Sequence, residues 1–219
     1  MSATDLLADV DLFADLSTQE LQHLADASTT VELRRGDVLF HEDDPGDNVY
    51  IVKSGRIAIA KRSIDGRESV VALMEPGDLF GEMQLFENQG RTAEARALEQ
   101  SEVLAIGYGP IREVYERRPE LLWGVVALLA RRLRSMDVAL ADTVFLDVTG
   151  RTAKRLLEMA GGADEFTLPV TQEELAAMVG ASRERVNKAI ASFVRLGWIE
   201  QSDRRYKITN REELERRAR

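Results

Sequence analysis

Two helices and the turn between them are written into Thr171–Ile190, TQEELAAMVGASRERVNKAI. Thr171 followed three residues later by Glu174 is a capping box, and it opens a helix carrying Leu175, Ala176 and Val179. Gly180 supplies the left-handed residue that closes it. Ser182 then caps a second helix, with Val186, Ala189, Ile190 and Phe193 on its inner face. Small Ala176 at the crossing, Gly180 in the turn and Val186 on the inner face have the spacing of a helix-turn-helix. The outer face of the second helix offers Arg183, Glu184, Arg185, Asn187 and Lys188. Most of these side chains can donate to phosphate or guanine edges, and Glu184 can accept from cytosine N4, so the pattern predicts a DNA-reading face starting at Ser182. Farther on, Trp198–Glu200 and Tyr206–Ile208 flank Ser202–Arg205 as a hairpin wing, with Arg204 and Arg205 placed to touch backbone phosphate.

Upstream, Asp147 offers a cap for a helix over Val148–Met159, and the junction Leu146–Asp147 reads as a domain boundary. Before it, Glu120–Phe145 reads as one long helix. Leu122, Val126, Leu129, Leu133, Met136 and Leu140 recur in alternating steps of four and three, a heptad seam that predicts pairing with a second copy. Val125, Leu128 and Ala139 supply part of a second apolar face for packing within the chain.

The N-terminal half changes period. Residues 4–27 show helical spacing, with Ser17 and Glu20 as a capping box. From Val31 the apolar residues alternate instead, as at Val49, Ile51, Ile57 and Ile59. Gly36, Gly46, Gly55, Gly66 and Gly77 punctuate these strands at the regular intervals of an antiparallel barrel or jelly roll, with Asp65–Gly66 as a hairpin turn. Strands continue through Thr92–Ala97 and Val103–Ile106. Just before them lies Phe80–Thr92, FGEMQLFENQGRT. Glu82 can accept from a sugar hydroxyl, Arg91 can fork two N–H donors onto a phosphate, and Gly81 lets the backbone approach an anion closely. The fold class is therefore α+β: a sensor of strands, a long helix and a DNA-reading domain.

Composition narrows the classes. The 219 residues are 44% hydrophobic and 31% charged, a soluble profile with room for two domains. No apolar run approaches the roughly 18 residues of a membrane span, and acids stand in MSATDLLADVDLF where a signal peptide would be basic. The absence of cysteine points to a reducing cytoplasm and excludes a thiolate nucleophile or iron–sulfur cluster. A metal-dependent enzyme on the barrel would need clustered histidines, and residues 31–110 hold only His41. The net charge of −9 conceals an asymmetry: residues 150–219 carry 14 Lys/Arg against 11 Asp/Glu, the remainder 15 against 27. A positive C-terminal domain on an acidic molecule suits approach to phosphate with little nonspecific binding.

From RRGDVLFHEDDPGDNVYIVKSGRI through FGEMQLFENQGRT and FLDVTGRTAKRLL to TQEELAAMVGASRERVNKAI, the chain resembles the catabolite activator (cyclic-AMP receptor) family of bacterial transcription regulators. The resemblance implies a jelly-roll-like cyclic-nucleotide-binding β-roll over residues 1–110 and a dimerisation helix and hinge over 111–146. A winged helix-turn-helix would fill 147–219. It also implies a cytoplasmic homodimer, not an enzyme and with no metal, that binds a near-palindromic double-stranded operator and contacts RNA polymerase. Gly81 and Glu82 would match the family's backbone and ribose contacts, Arg91 its phosphate-binding arginine and Thr92 the small hydroxyl residue beside it, with Met83 also among the ligand-binding residues. Arg183, Glu184 and Lys188 would match the base-reading positions. Arg132, Met136 and Asp137 would lie on the helix against the ligand. The pair Met136–Asp137 departs from the hydroxyl or amide pair usual in cyclic-AMP responders. Cyclic AMP is the expected effector, and that departure leaves open cyclic GMP or a constitutive dimer with a vestigial pocket.

Overall fold

A computed structural model describes residues 2–64, 68–87 and 89–219. The chain divides into two compact units, the first comprising residues up to Lys61 with Val71–Leu133, the second Arg62–Val70 with Arg134–Arg219. The hairpin turn expected at Asp65–Gly66 lies outside the described residues.

In the first unit, helices α1 (Ala3–Ala8) and α2 (Thr18–Asp26) precede strands β1 (Ser28–Leu33), β2 (Val38–Phe40), β3 (Asn48–Ser54) and β4 (Ile57–Arg62). Then come β5 (Glu68–Met74), of which the part from Val71 belongs to this unit, β6 (Leu79–Phe80), α3 (Met83–Phe86), β7 (Glu94–Ala97), β8 (Ser101–Gly107) and α4 (Tyr108–Arg117), and α5 (Leu122–Phe145) begins here. The strands form two four-stranded sheets in the orders β1-β8-β3-β6 and β2-β7-β4-β5. Strands β3 and β8 are buried on both faces, which explains their near-continuous apolar sequence. Val49 and Ile51 turn to a cluster with Leu7, Phe13, Leu24, Ile111 and Val125 of the helices. Tyr50 and Val52 turn the other way, to meet Ile57, Ala95 and Ala97 of the second sheet. Each full burial of such a side chain contributes about 1.5–3 kcal/mol, so this double-sided packing fixes strand register.

Local signals explain the ends of these elements. Ser17 and Glu20 exchange both capping-box bonds at α2. Gly55 turns between β3 and β4 at φ 77°, where a Cβ would strike Ser101, so glycine is required twice over. Strand β7 starts at Glu94 rather than at the expected Thr92, and Arg91 before it exchanges backbone bonds with Asp43 and Asp44 of the loop after β2. In α5, Val125 and Leu128 pack on the helical cluster, whereas Ala139, expected on that inner face, is exposed.

The second unit holds the remainder of α5, then α6 (Val148–Ala160), β9 (Glu165–Thr167), α7 (Gln172–Val179), α8 (Arg183–Arg195), β10 (Ile199–Ser202), β11 (Arg205–Ile208) and α9 (Arg211–Arg217). Strands β10, β11 and β9 make an antiparallel sheet in that order. Thr171 and Glu174 form the expected capping box, Gly180 is left-handed at φ 68°, and the Ser182 hydroxyl accepts from Arg185 N. Val186, Ile190 and Phe193 are fully or almost fully buried, as their spacing predicts.

Asp147 caps α6 through Gly150 N at 2.8 Å and pairs with Arg217 of α9. The Gly150 N–H, followed by Arg217, holds its carboxyl below the usual value of 3.8. Its contribution is therefore complete above that value and fades as pH falls through the lower folded value. Asp147→Ala should destabilise the C-terminal unit by about 1 kcal/mol at neutral pH, and Asp147→Asn, which keeps the cap, by less. Urea denaturation checks this, and equal losses for the two variants would contradict the capping role.

Candidate functional site

Arg91 sits inside the roll, only 4% exposed. Its Nη1 donates to the Gly81 carbonyl at 2.8 Å and to the Tyr108 hydroxyl at 3.1 Å, and Nη2 donates to the Asn48 carbonyl at 2.9 Å. The guanidinium lies 4.3 Å from the Phe40 ring centroid and 5.5 Å from that of Tyr50. Phe40, Tyr50 and Phe80 form one aromatic group around it. All these partners are neutral. Among the described residues no carboxylate pairs with Arg91, and its buried Nε has no hydrogen-bond partner. Of the five N–H donors that a guanidinium carries, Nε–H is the one left buried without a partner. Burial pushes the phenols of Tyr50 and Tyr108 up, with Arg91 opposing it, so both act as neutral groups.

The close approach that creates this arrangement depends on two glycines. Gly81 adopts φ 78°, and a Cβ there would lie 2.7 Å from Arg91 Nη1. A Cβ on Gly46 would strike Arg91 and Gln84. Neither position has room for a side chain while Arg91 keeps its place.

Next to Gly81, Glu82 is 1% exposed and precedes the short helix α3. Its carboxylate pairs with Arg132 of α5, which also donates from Nη2 to the Leu79 carbonyl at 2.7 Å. The second carboxylate oxygen stays available to accept from a hydroxyl. Met83 is half exposed, and exposed Thr92 directs its hydroxyl to the Met83 sulfur at 3.8 Å. The structure thus brings Gly81, Glu82, Met83, Arg91, Thr92 and Arg132 together on one unit. Met136 and Asp137 are exposed on the later part of α5. Sequence reasoning missed Tyr108, Arg112, Asn48, Phe40 and Gly46 as parts of this site. Gly46 carried a signal as a turn residue; the others gave none, because they meet Arg91 or its segment only through tertiary folding.

On the second unit, Ser182, Arg183, Glu184, Arg185 and Lys188 are exposed on the first turns of α8. Asn187 is partly buried, its Oδ1 inaccessible and without a partner, so it faces partly inward. Arg205 is exposed on the wing, while Arg204 is tied by Nη2 to the Leu168 carbonyl at 2.9 Å. The heptad seam of α5 is open to solvent, with Leu133 60%, Met136 68% and Leu140 64% exposed. No helix among the described residues is long and apolar enough to cross a membrane, and no cluster of acids and histidines there could hold a metal ion.

Residues 30–118 match the cyclic nucleotide-binding domain, and residues 150–217 match the Crp-like helix-turn-helix domain. A CRP-like cAMP-activated global transcriptional regulator of Mycobacterium tuberculosis is 39% identical over 98% of this chain and 99% of its own length. The chain belongs to the cyclic-AMP receptor family. The Thermus thermophilus catabolite activator protein is 30% identical, covering 95% of this chain and 98% of its own, with a TM-score of 0.54. FixK2 from Bradyrhizobium japonicum shares the fold at a TM-score of 0.77 and 23% identity, covering 86% of this chain and 96% of its own. As a member of the cyclic-AMP receptor family the protein is a transcription regulator with a nucleotide-binding unit and a DNA-binding unit, not an enzyme.

The Glu82–Arg132 pair yields a stability prediction. Arg132→Ala leaves a buried carboxylate without its cation and should cost about 1–2 kcal/mol, less than a fully buried pair because Arg132 is partly solvated. Adding Glu82→Gln should recover part of that loss. A double-mutant cycle by chemical denaturation checks the coupling, and purely additive losses would show that the two side chains do not depend on each other.

Proposed function

We propose that the protein is a homodimeric regulator that binds cyclic AMP in the β-roll and answers with altered affinity for a near-palindromic operator. The observation that carries this reading is the buried Arg91 guanidinium, which has only neutral partners and a buried Nε–H with none. An anion is the missing complement, and a cyclic phosphodiester supplies one negative charge at the right size. Glu82, beside it, supports a ribose hydroxyl as the donor to its second carboxylate oxygen. Arg91 and Thr92 serve the phosphate, Gly81 and Met83 frame it, and Arg132 orients Glu82. The cAMP-activated relative at 39% identity supports the same effector. Met136 and Asp137 as base-facing residues rest on the resemblance alone.

On the DNA side, exposed Arg183, Glu184 and Lys188 read base edges, while Ser182, Arg185 and the wing residue Arg205 hold phosphates. Asn187 contributes through whatever part of its amide remains exposed, and Arg204 shapes the wing by binding Leu168. The open seam Leu122–Leu140 of α5 supports pairing with a second copy, and that dimer would present two recognition helices about one DNA turn apart. Because α5 starts in the nucleotide-binding unit and ends in the DNA-binding unit, it is the natural carrier of a coupling of about 1–3 kcal/mol. The protein acts in the cytoplasm and contacts RNA polymerase at its promoters.

Full-length protein titrated with cyclic AMP and cyclic GMP, while operator binding is followed by fluorescence anisotropy, tests this function. Cyclic AMP should tighten operator binding by roughly 5- to 150-fold. A response to cyclic GMP alone would reassign the base, and operator binding indifferent to both would favour a constitutive dimer.

A further inference from the structure

The segment that carries Gly81 and Glu82 is gripped from one side by helix α4. Tyr108, its first residue, donates its hydroxyl to the Gly81 carbonyl at 2.6 Å. One turn later Arg112 donates Nη2 to the Leu85 carbonyl at 3.1 Å, and its guanidinium lies 5.9 Å from the Tyr108 ring centroid. Residues four apart on a helix are neighbours, so these two side chains form a single grip on the two ends of Gly81–Leu85. Arg112 and Tyr108 both line a cleft of about 640 Å³ with Asp47 and Gln84, so the grip has solvent beside it as well as core.

Tyr108 has a second bond. Its oxygen accepts from Arg91 Nη1, which also donates to Gly81, so Tyr108, Gly81 and Arg91 close a triangle. Nη1 is thereby turned to this pair of acceptors. The donor left without a partner, Nε–H, lies on the edge of the guanidinium away from Nη1. The hydroxyl therefore decides which part of Arg91 remains for an anion. A phenylalanine at this position would fill the same space and remove one of the three bonds that orient the guanidinium.

We propose that Tyr108 is a positioning residue for the ligand phosphate: it fixes the orientation of Arg91 and, with Arg112, locks the Gly81–Leu85 segment onto α4. This rests on the reading of Gly81–Thr92 as a cyclic-nucleotide site. It adds a role to α4, a helix that the ligand itself need not touch.

Calorimetric titration of the full-length dimer separates the possibilities. The wild type, Tyr108→Phe, Arg91→Lys and the double variant are titrated with the cyclic nucleotide that binds the wild type. Tyr108→Phe should bind about tenfold more weakly, as loss of a hydrogen bond to a charged partner implies. In the Arg91→Lys background, which lacks the fork, the same change should cost clearly less, because only the Tyr108–Gly81 bond of the segment grip is then lost. Arg112→Met frees the Leu85 carbonyl without touching Arg91, so it should weaken binding in both backgrounds. Unchanged affinity for Tyr108→Phe, or an equal loss with and without Arg91, overturns the proposal. If the wild type binds neither cyclic AMP nor cyclic GMP, the underlying site reading fails, and the inference falls with it.

Discussion

The nucleotide-binding unit is built around one buried positive charge. A guanidinium removed from water without a counter-ion loses several kcal/mol of solvation, and neutral hydrogen bonds restore only part of it. Around Arg91 the restoration comes from two backbone carbonyls, one phenol and the faces of Phe40 and Tyr50, the ring contacts contributing up to about 2 kcal/mol. The surrounding structure follows from that requirement. Asn48 reaches Arg91 because β3 runs through the middle of its sheet, Gly81 because it lies immediately after β6, and Tyr108 because α4 leaves the end of β8. Gly46 and Gly81 lack side chains where the guanidinium would collide with one. A charge held this way, short of a full complement, is why Arg91 is proposed to receive the phosphate.

The DNA-binding unit uses the opposite arrangement. Its cations are exposed at the start of α8, where water solvates them and no burial cost arises. Its interior is apolar, with Leu175, Val186, Ile190 and Phe193 joining α7 to α8. Arg151 donates to the Val179 carbonyl and Arg211 to the Ala163 carbonyl, so arginines here serve the fold by closing the ends of α7 and of the α6–β9 turn. Charge on this unit therefore divides into structural arginines turned to carbonyls and the side chains of α8 turned to solvent. Counting basic residues in the sequence cannot separate the two. Arg204, expected at a phosphate contact, makes a structural bond to Leu168.

What was legible in the sequence was local. Capping boxes at Ser17 and Thr171, the left-handed Gly180 and the Asp147 cap involve partners within four residues, and each formed as read. The helix-turn-helix, the long α5 and the antiparallel strands follow from periodicity over long windows. Other elements escaped. Helix α4 begins Tyr108–Gly109–Pro110, which reads as a turn, yet proline is tolerated in the first helical turn because its missing N–H would have no partner there. Helix α3 has four residues, too few to show a period, and β9 has three and depends on pairing with β11. The candidate site was half legible. Gly81, Glu82 and Arg91 stand within eleven residues of one another, but the neutrality of Arg91's surroundings comes from Asn48 and Tyr108, 43 and 17 residues away.

The ligand's negative charge is the proposed complement of Arg91. Calorimetry comparing cyclic AMP with uncharged adenosine, on the wild type and on Arg91→Leu, addresses it directly. Two or more charge-assisted hydrogen bonds imply that the wild type prefers cyclic AMP on the order of a hundredfold, and that Arg91→Leu loses this preference. A wild type that binds the two alike, or a variant that keeps the full preference, would contradict the account.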